Sequence, residues 1–374
     1  MKIITLTLLV AFAVVSCDQK KSRTVISPDA FNKKIDGKQV ELFTLRNKNG
    51  MEMSVTNYGG RIVSLMVPDR SGKKEDIVLG YDSLTGYLNA KEQYFGAAIG
   101  RYGNRISKGT FKLDNLEYKL AINNIPNSLH GGIKGFSSKI WNGVQNRDNE
   151  VEMTLVSPDM DEGYPGELKV MMIYKLTDKN EVNIFYSAKT NKPTVINLTN
   201  HTYFNLHGAG HGDILDHKMY INADYFTPVD STLIPTGNLE PVKGTPFDFT
   251  LPLVIGKRIN DPIQQLVFGH GYDHNFVLNK TKNERVSFAA SVYDPLSGRY
   301  MEVFTNEPGI QFYTGNFLKG KEIGKKGKPY NFRSAFCLET QHFPDSPNHS
   351  NFPTVVLRPG EIYSSACVYR FSIK

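Results

Sequence analysis

The segment Ala335-Phe-Cys-Leu-Glu339-Thr-Gln-His-Phe-Pro344 places a carboxylate in apolar company. On an extended chain Ala335, Cys337 and Glu339 share one face and Phe336 and Leu338 the other. Up to Glu339 both faces are apolar, so the strand reads as buried on both sides. Glutamate is almost never fully buried without partners. Glu339 is therefore either half of a structural ion pair or a general base. A second candidate lies in Asn200-His201-Thr202-Tyr203-Phe204-Asn205-Leu206, after the strand-like Thr194–Leu198. There His201 and Tyr203 project to one face. An imidazole among Asn and Tyr has hydrogen-bond partners and suits an acid; it equally suits a buried structural histidine. Asn127-Ser-Leu-His130-Gly-Gly132 puts another histidine before a glycine pair. That pattern either lets backbone approach a ligand closely or simply turns the chain.

Further polar groups gather in short glycine-containing segments. Gly100-Arg101-Tyr-Gly-Asn104-Arg105-Ile-Ser107 carries two arginines and an asparagine. Gly271-Tyr-Asp273-His274-Asn275-Phe276 adds a carboxylate, and Gly309-Ile-Gln311-Phe-Tyr313 an amide among aromatics. Asn, Asp, Gln, Arg and His are the side chains that hydrogen-bond sugar hydroxyls. Tyr and Phe beside them suit a sugar's C–H face. His207-Gly-Ala-Gly-His211 has metal-like spacing, but its glycines argue against the helix that i, i+4 ligation uses. No metal and no cofactor are expected. Walker, dinucleotide-binding and Gly-x-Ser-x-Gly motifs are lacking.

The elements that position these residues read as strands. In Glu181–Ala188 the residues Val182, Ile184, Tyr186 and Ala188 share one face, the period-two signature. Val151–Val156, Val170–Leu176, Val286–Val292, Met301–Phe304 and Ile362–Ile373 behave alike. Phe111–Tyr118 places Asp114-Asn115 between two strand-like runs, a two-residue hairpin. Only Pro262–Phe268 reads as a short helix, with Asp261 as its N-cap. Many short strands with Gly, Pro and Asn turns indicate an all-β sandwich or barrel. The 374 residues hold 32 Gly and 19 Pro without a period, which excludes collagen-like and low-complexity chains. A net charge of +7 from 44 basic and 37 acidic residues is modest, and nucleic acid is not an expected partner. The basic stretch Lys319–Lys328 reads as a mobile loop.

Met1-Lys2 gives one positive charge, and Ile3–Val15 is an apolar run of signal-peptide length, too short to span a bilayer. Val14-Val15-Ser16-Cys17 resembles a bacterial lipobox, in which the cysteine becomes the lipidated first residue. Residues 1–16 are then the signal peptide, 17–30 a polar tether beginning at lipidated Cys17, and 31–374 a single domain. The mature chain is expected to be exported and held by its lipid to a membrane, facing the periplasm or cell exterior. Cys337 and Cys367 remain in the domain, paired or free.

Taken together, the segments GRYGNRISKG (100–109), NSLHGG (127–132), INLTNHTYFNL (196–206), GYDHNFVL (271–278), PGIQFYTGN (308–316), CLETQHFPDSPN (337–348) and LRPGEIY (357–363) resemble the aldose 1-epimerase (galactose mutarotase) family. They run in the family's order and span nearly the whole mature chain. The resemblance implies a large β-sandwich with an open sugar cleft on one sheet. It implies interconversion of the α and β anomers of aldohexoses such as glucose and galactose, without metal or cofactor. It assigns Glu339 as catalytic base and His201 as catalytic acid. It places His130, Asn104, Arg105, Asp273 and Gln311 on the sugar, with Tyr203 as a further contact. The leader is the departure, since many family members are cytoplasmic.

Two other readings compete. A non-catalytic sugar-binding lipoprotein on the same fold would have lost Glu339 or His201. A hexose-6-phosphate 1-epimerase would need Arg or Lys at the cleft, from Arg101, Arg105 or the 319–328 loop. The oligomeric state is left open, with a monomer favoured.

Overall fold

The computed structural model describes residues 26–281 and 284–374. The expected signal peptide, Cys17 and residues 18–25 of the expected tether lie outside them. Nine antiparallel strands form the large sheet, in the order Asn142–Arg147, Glu150–Ser157, Leu168–Leu176, Glu181–Thr190, Tyr363–Ile373, Arg299–Thr305, Ser287–Tyr293, Lys218–Ile221, Leu253–Val254. The six alternating segments from Val151–Val156 to Ile362–Ile373 all fall on strands of this sheet. Their inward positions, among them Met153, Met172, Tyr174, Ile184, Tyr186, Tyr369 and Phe371, join one apolar core. Full burial of such side chains contributes about 1.5–3 kcal/mol each.

Five shorter strands carry or support the polar segments: β1 (Ala97–Ile99), β2 (Thr199–His201), β3 (Asp273–Leu278), β4 (Gly309–Tyr313) and β5 (Cys337–Gln341). β3, β4 and β5 pair side by side in a five-stranded sheet, and β2 pairs with β1. Alternation divides the residues of β3–β5 between two environments. Phe276, Ile310, Phe312 and Leu338 enter the same core as the large sheet. Asp273, Gln311 and Glu339 occupy the alternate positions, on the opposite face. The two sheets thus form the sandwich, and the polar face of the smaller one floors a cleft.

Local expectations hold with specific corrections. Thr110–Leu113 and Leu116–Lys119 form the hairpin, and Asp114 and Asn115 at its tip have φ of 49° and 64°, the left-handed pair a two-residue turn demands. The short helix spans Gln264–Gly269, not Pro262–Phe268. The Ile263 amide bonds the Asp261 carbonyl in a tight turn, so Asp261 and Pro262 lie before the helix. The 319–328 loop is not simply a solvated basic strand of chain. Lys325 is buried, with its ammonium on Asp76 and on the Val63 carbonyl 2.7 Å away. Ordered packing also begins before residue 31, because Ile26 is buried in a cluster with Phe31. Cys337 and Cys367 are both free and buried.

Candidate active site

Strand register assembles the site. Asn275, Gln311 and Glu339 stand in one row across β3, β4 and β5, and Asp273, Tyr313 and Cys337 in the next. Gln311 Nε2 donates to Asp273 Oδ1 at 2.6 Å. His201 arrives from β2. The chain just beyond it is tied to the entry of β5 by Phe204 N–H to the Phe336 carbonyl at 2.7 Å and the reciprocal bond at 2.9 Å. That bridge sets His201 Nε2 3.6 Å from Glu339 Oε1 and His201 Nδ1 3.4 Å from Cys337 Sγ. The result is a cavity of about 400 Å³ lined by Asn104, Arg105, His130, His201, Tyr203, Asp273 and Glu339, among others.

The wall opposite comes from two loops locked together. The Asn104 amide donates to His130 Nδ1 at 3.2 Å, and the His130 amide to the Asn104 carbonyl at 2.9 Å. Both residues are left-handed, with φ of 60° and 50°, a conformation that non-glycine residues hold mostly at constrained sites. The glycines after His130 serve this fold rather than a ligand: a Cβ on Gly131, where φ is 85°, would lie 2.0 Å from the Gly100 carbonyl oxygen. Arg105 reaches Asn124 at 3.1 Å, Asn104 at 3.4 Å and Asp273 at 3.8 Å. Arg101 is not at the cleft. Its guanidinium is buried on the carbonyls of Pro165 and Gly166, at 2.7 and 2.8 Å, and on Ser157.

Burial controls the electrostatics. It pushes the Glu339 carboxyl well up, with the Asp273 charge adding to it and Arg105 opposing. It pushes Asp273 up as well, against Arg105 and Gln311. It lowers His201 to about 3, and His130 well below its ordinary value with the help of His201 and Arg105. Glu339 Oε2 is buried with no hydrogen-bond partner. Buried carboxylate oxygens are seldom left so, and Glu339 is one of the residues lining the cleft. With the acid held high and the imidazole low, the His201–Glu339 pair carries a single proton over a wide pH range.

Two clusters place three ligand-type atoms together among the described residues: His130, His201 and Glu339, and His207, Asp216 and His217. Hydrogen bonds argue against both as neutral-imidazole metal sites. His130 Nδ1 accepts from Asn104, so its proton sits on Nε2. His217 Nε2 accepts the Leu206 amide at 3.1 Å, so its proton sits on Nδ1, beside Asp216. His207 and His211 do not ligate together; His207 lies between Asp216 and Asp294.

All eight residues singled out from sequence for sugar chemistry meet here, seven lining the cavity and Gln311 bonded to Asp273 beneath it. Sequence reasoning missed Glu92, Tyr94, Asn124, Thr232, His270 and Phe317 on the same wall. Their segments show neither alternation nor a dense polar motif, so only the folded chain identifies them.

The family described as aldose 1-epimerase matches residues 41–370. Galactose mutarotase of Bos taurus is 49% identical over 334 residues, covering 89% of this chain and 94% of that protein. Aldose 1-epimerase of Escherichia coli K12 is 38% identical over 339 residues, covering 90% and 96%. The crystal structure of an aldose epimerase homologue from C. elegans superposes with a TM-score of 0.82 at 30% identity, covering 89% of this chain and 99% of that one.

Proposed function

The chain belongs to the aldose 1-epimerase family, and from that premise we propose that Glu339 is its general base and His201 its general acid. The activity itself is an isomerisation, the interconversion of the α and β anomers of an aldose. The observation that carries the assignment is the pair of buried groups 3.6 Å apart on the wall of the cleft, one carboxylate oxygen without a hydrogen-bond partner.

The chemistry follows from that pair. Glu339 takes the proton of the C1 hydroxyl while His201 delivers one to the ring oxygen. The C1–O5 bond breaks and C1 becomes an aldehyde. Rotation about C1–C2 presents the other carbonyl face. The C5 hydroxyl oxygen then attacks C1, its proton returns to His201, and Glu339 returns its proton to O1. Protons and bonds balance over the cycle. This direction of transfer needs the pair's proton on His201, whereas burial in the free site favours it on Glu339; Arg105 stabilises the Glu339 carboxylate and also opposes charge on the imidazole. A positioned acid or base contributes about 10²–10⁴-fold. His130, as a neutral imidazole, offers its Nε2–H as a donor. Asn104, Arg105, Asp273 and Gln311 fix the remaining hydroxyls, and Tyr203 presents its ring, so the reacting oxygens stay within reach.

The substrate proposed is a free aldohexose, glucose or galactose. Among the described residues Arg105 is the one arginine or lysine lining the cleft, and it already serves Asp273, Asn104 and Asn124. With Arg101 and Lys325 buried elsewhere, no further arginine or lysine among the described residues lines the cleft to meet a phosphate. Polarimetry of fresh α-D-glucose and α-D-galactose tests this: acceleration of both, with glucose 6-phosphate no faster than its spontaneous rate, is the expected result.

Location is a separate proposal. Lys2, the Ile3–Val15 core and the Ser16-Cys17 junction support cleavage before Cys17 and lipid attachment there. Two or more acyl chains, at about 0.8 kcal/mol per buried CH₂, suffice for stable anchoring. Mass spectrometry of the N-terminus after membrane fractionation decides it. An intact Met1 in the soluble fraction would overturn the anchor and leave the chemistry untouched.

A further inference from the structure

Glu339 is short of a partner, and so are the side chains around it. Alternation along β3, β4 and β5 puts Asn275, Gln311 and Gln341 on the same face as Glu339. Gln311 stands between Asn275 and Glu339 in one row, and Gln341 lies two residues beyond Glu339 in β5. All four are buried, none more than 3% exposed. Asn275 and Gln341 are not among the residues lining the cleft. Among the described residues, the side-chain oxygen and nitrogen of Asn275 and of Gln341 find no hydrogen-bond partner, and neither do Gln311 Oε1 and Glu339 Oε2. Gly309 faces Gln341 directly across the β4–β5 pair and carries no side chain. A Cβ there would lie 2.4 Å from Asn275 Oδ1 and 3.0 Å from the Phe343 ring. The Asn275 amide therefore sits over Gly309, in the row of Gln341, with Phe343 against it.

Six unpartnered polar atoms on one patch of sheet are more than a folded interior leaves unsatisfied. Two are amide nitrogens with hydrogens to give, and four are oxygens able to accept. No protein group on the patch serves both kinds. Water does, and a buried water makes about three hydrogen bonds to groups of this sort. We propose that water is bound over Gly309 and joins Glu339 Oε2 to Asn275, Gln311 and Gln341, so that Asn275 and Gln341 are positioning residues for the general base. The water accepts from the amide nitrogens and donates to the carboxylate. A donor on a carboxylate favours its charged form. The site needs that, because burial favours the proton on Glu339 and the reaction requires it on His201. The titratable groups beside Glu339 are His201, Cys337, Asp273, Glu92 and Arg105. In the free site only the Arg105 charge favours the carboxylate, while Asp273 and Glu92 oppose it. The inference rests on Glu339 being the general base.

Two measurements test it. The first is a crystal structure of the parent protein at a resolution that shows ordered water. Water within hydrogen-bond distance of Glu339 Oε2 and of the Asn275 or Gln341 amide is expected. Oε2 held directly by a side chain, or no water joining it to either amide, would overturn the site. The second is the pH profile of kcat, read by polarimetry. Gln341→Met keeps the length of the side chain and removes its hydrogen bonds. It should lower kcat about tenfold at neutral pH and leave KM within about twofold, since Gln341 does not line the cleft. The alkaline limb should move up by about one pH unit, because the pair's proton is then harder to take from Glu339. Gly309→Ala puts a methyl group where the water is held and should show both changes. Gly309 has an ordinary φ, so alanine suits its backbone, and this variant serves if Gln341→Met fails to fold. Parental kcat, a raised KM alone, or a lower kcat with an unmoved alkaline limb would overturn the positioning role. A Glu339→Gln enzyme with parental kcat would instead remove the base assignment, and the crystal structure would still decide the water.

Discussion

His201 and His207 lie within one short stretch of chain, and each faces carboxylates, yet their surroundings drive them in opposite directions. His207 Nε2 is 2.9 Å from Asp216 and its Nδ1 3.0 Å from Asp294. Burial opposes its charge, but the Asp294 hydrogen bond and the two carboxylate charges outweigh burial and raise its pKa. Asp294 falls correspondingly, its own burial outweighed by His207 and Ser297. His201 sits 3.6 Å from one carboxylate that is itself buried and short of partners, and burial wins on both. The contrast separates a structural ion cluster from a reactive pair. In the first, every charge is matched and the protonation state is locked. In the second, neither charge is matched: burial leaves the pair one proton, on Glu339, and a neutral imidazole.

Ways to break that contrast can be ranked by size. Glu339→Gln should remove about 10³-fold or more of the rate, because the amide keeps the shape and loses the basicity. The same change should raise stability at neutral pH. A carboxyl whose pKa is raised on folding holds its proton in the native state after the unfolded chain has released it. Stability therefore falls as pH rises above about 4.5. Melting curves of parent and variant should diverge above that pH; a wild-type rate would end the general-base assignment.

His201→Asn should slow turnover about 10²-fold with little change in KM. Its stability signature runs the other way. The His201 pKa is lowered on folding to about 3, so protonation of the unfolded chain pulls the native state apart between about pH 6.5 and 3. Asparagine lacks that acid sensitivity. If the variant melts in parallel with the parent throughout acid titration, His201 is not held neutral by burial.

His207→Asn should leave the rate unchanged and cost about 1 kcal/mol, a few degrees in melting temperature. Because the folded pKa is raised, this contribution is fully present below about pH 6.5 and is lost as pH rises through the folded value. The gap between parent and variant should therefore close in alkali, opposite in sense to His201→Asn. Any change in kcat would show that the two clusters communicate.

The smallest expected effect is none at all. EDTA should leave turnover untouched, since the acid–base pair needs no Lewis acid and the hydrogen bonds to His130 Nδ1 and His217 Nε2 put the ring protons on the other nitrogens, which a metal would need bare. Activity lost to EDTA and restored by zinc would recast both clusters.

Much of this was readable in the chain because strands repeat every two residues. Alternation alone places Glu339 opposite Leu338, and Asp273 and Gln311 opposite Phe276, Ile310 and Phe312, whatever the sheet pairs with. The Asp114-Asn115 turn was equally local, since two left-handed residues specify the hairpin by themselves. The resemblance drew on those same segments and brought eight site residues to one cleft. What the sequence could not decide was partnership. His201 and His207 look alike in the chain, and only pairing of the Phe204 segment with Phe336 carries one to Glu339 while the other meets Asp294. Arg101 and Lys325 read as spare cations and proved to be buried struts. Glu92 gave no signal at all, because nothing in its segment sets it apart before folding places it on the cleft wall. Periodicity is a property of the backbone and is written locally. Burial and charge pairing, which set every protonation state in this site, are decided by segments that meet only when the sheets close.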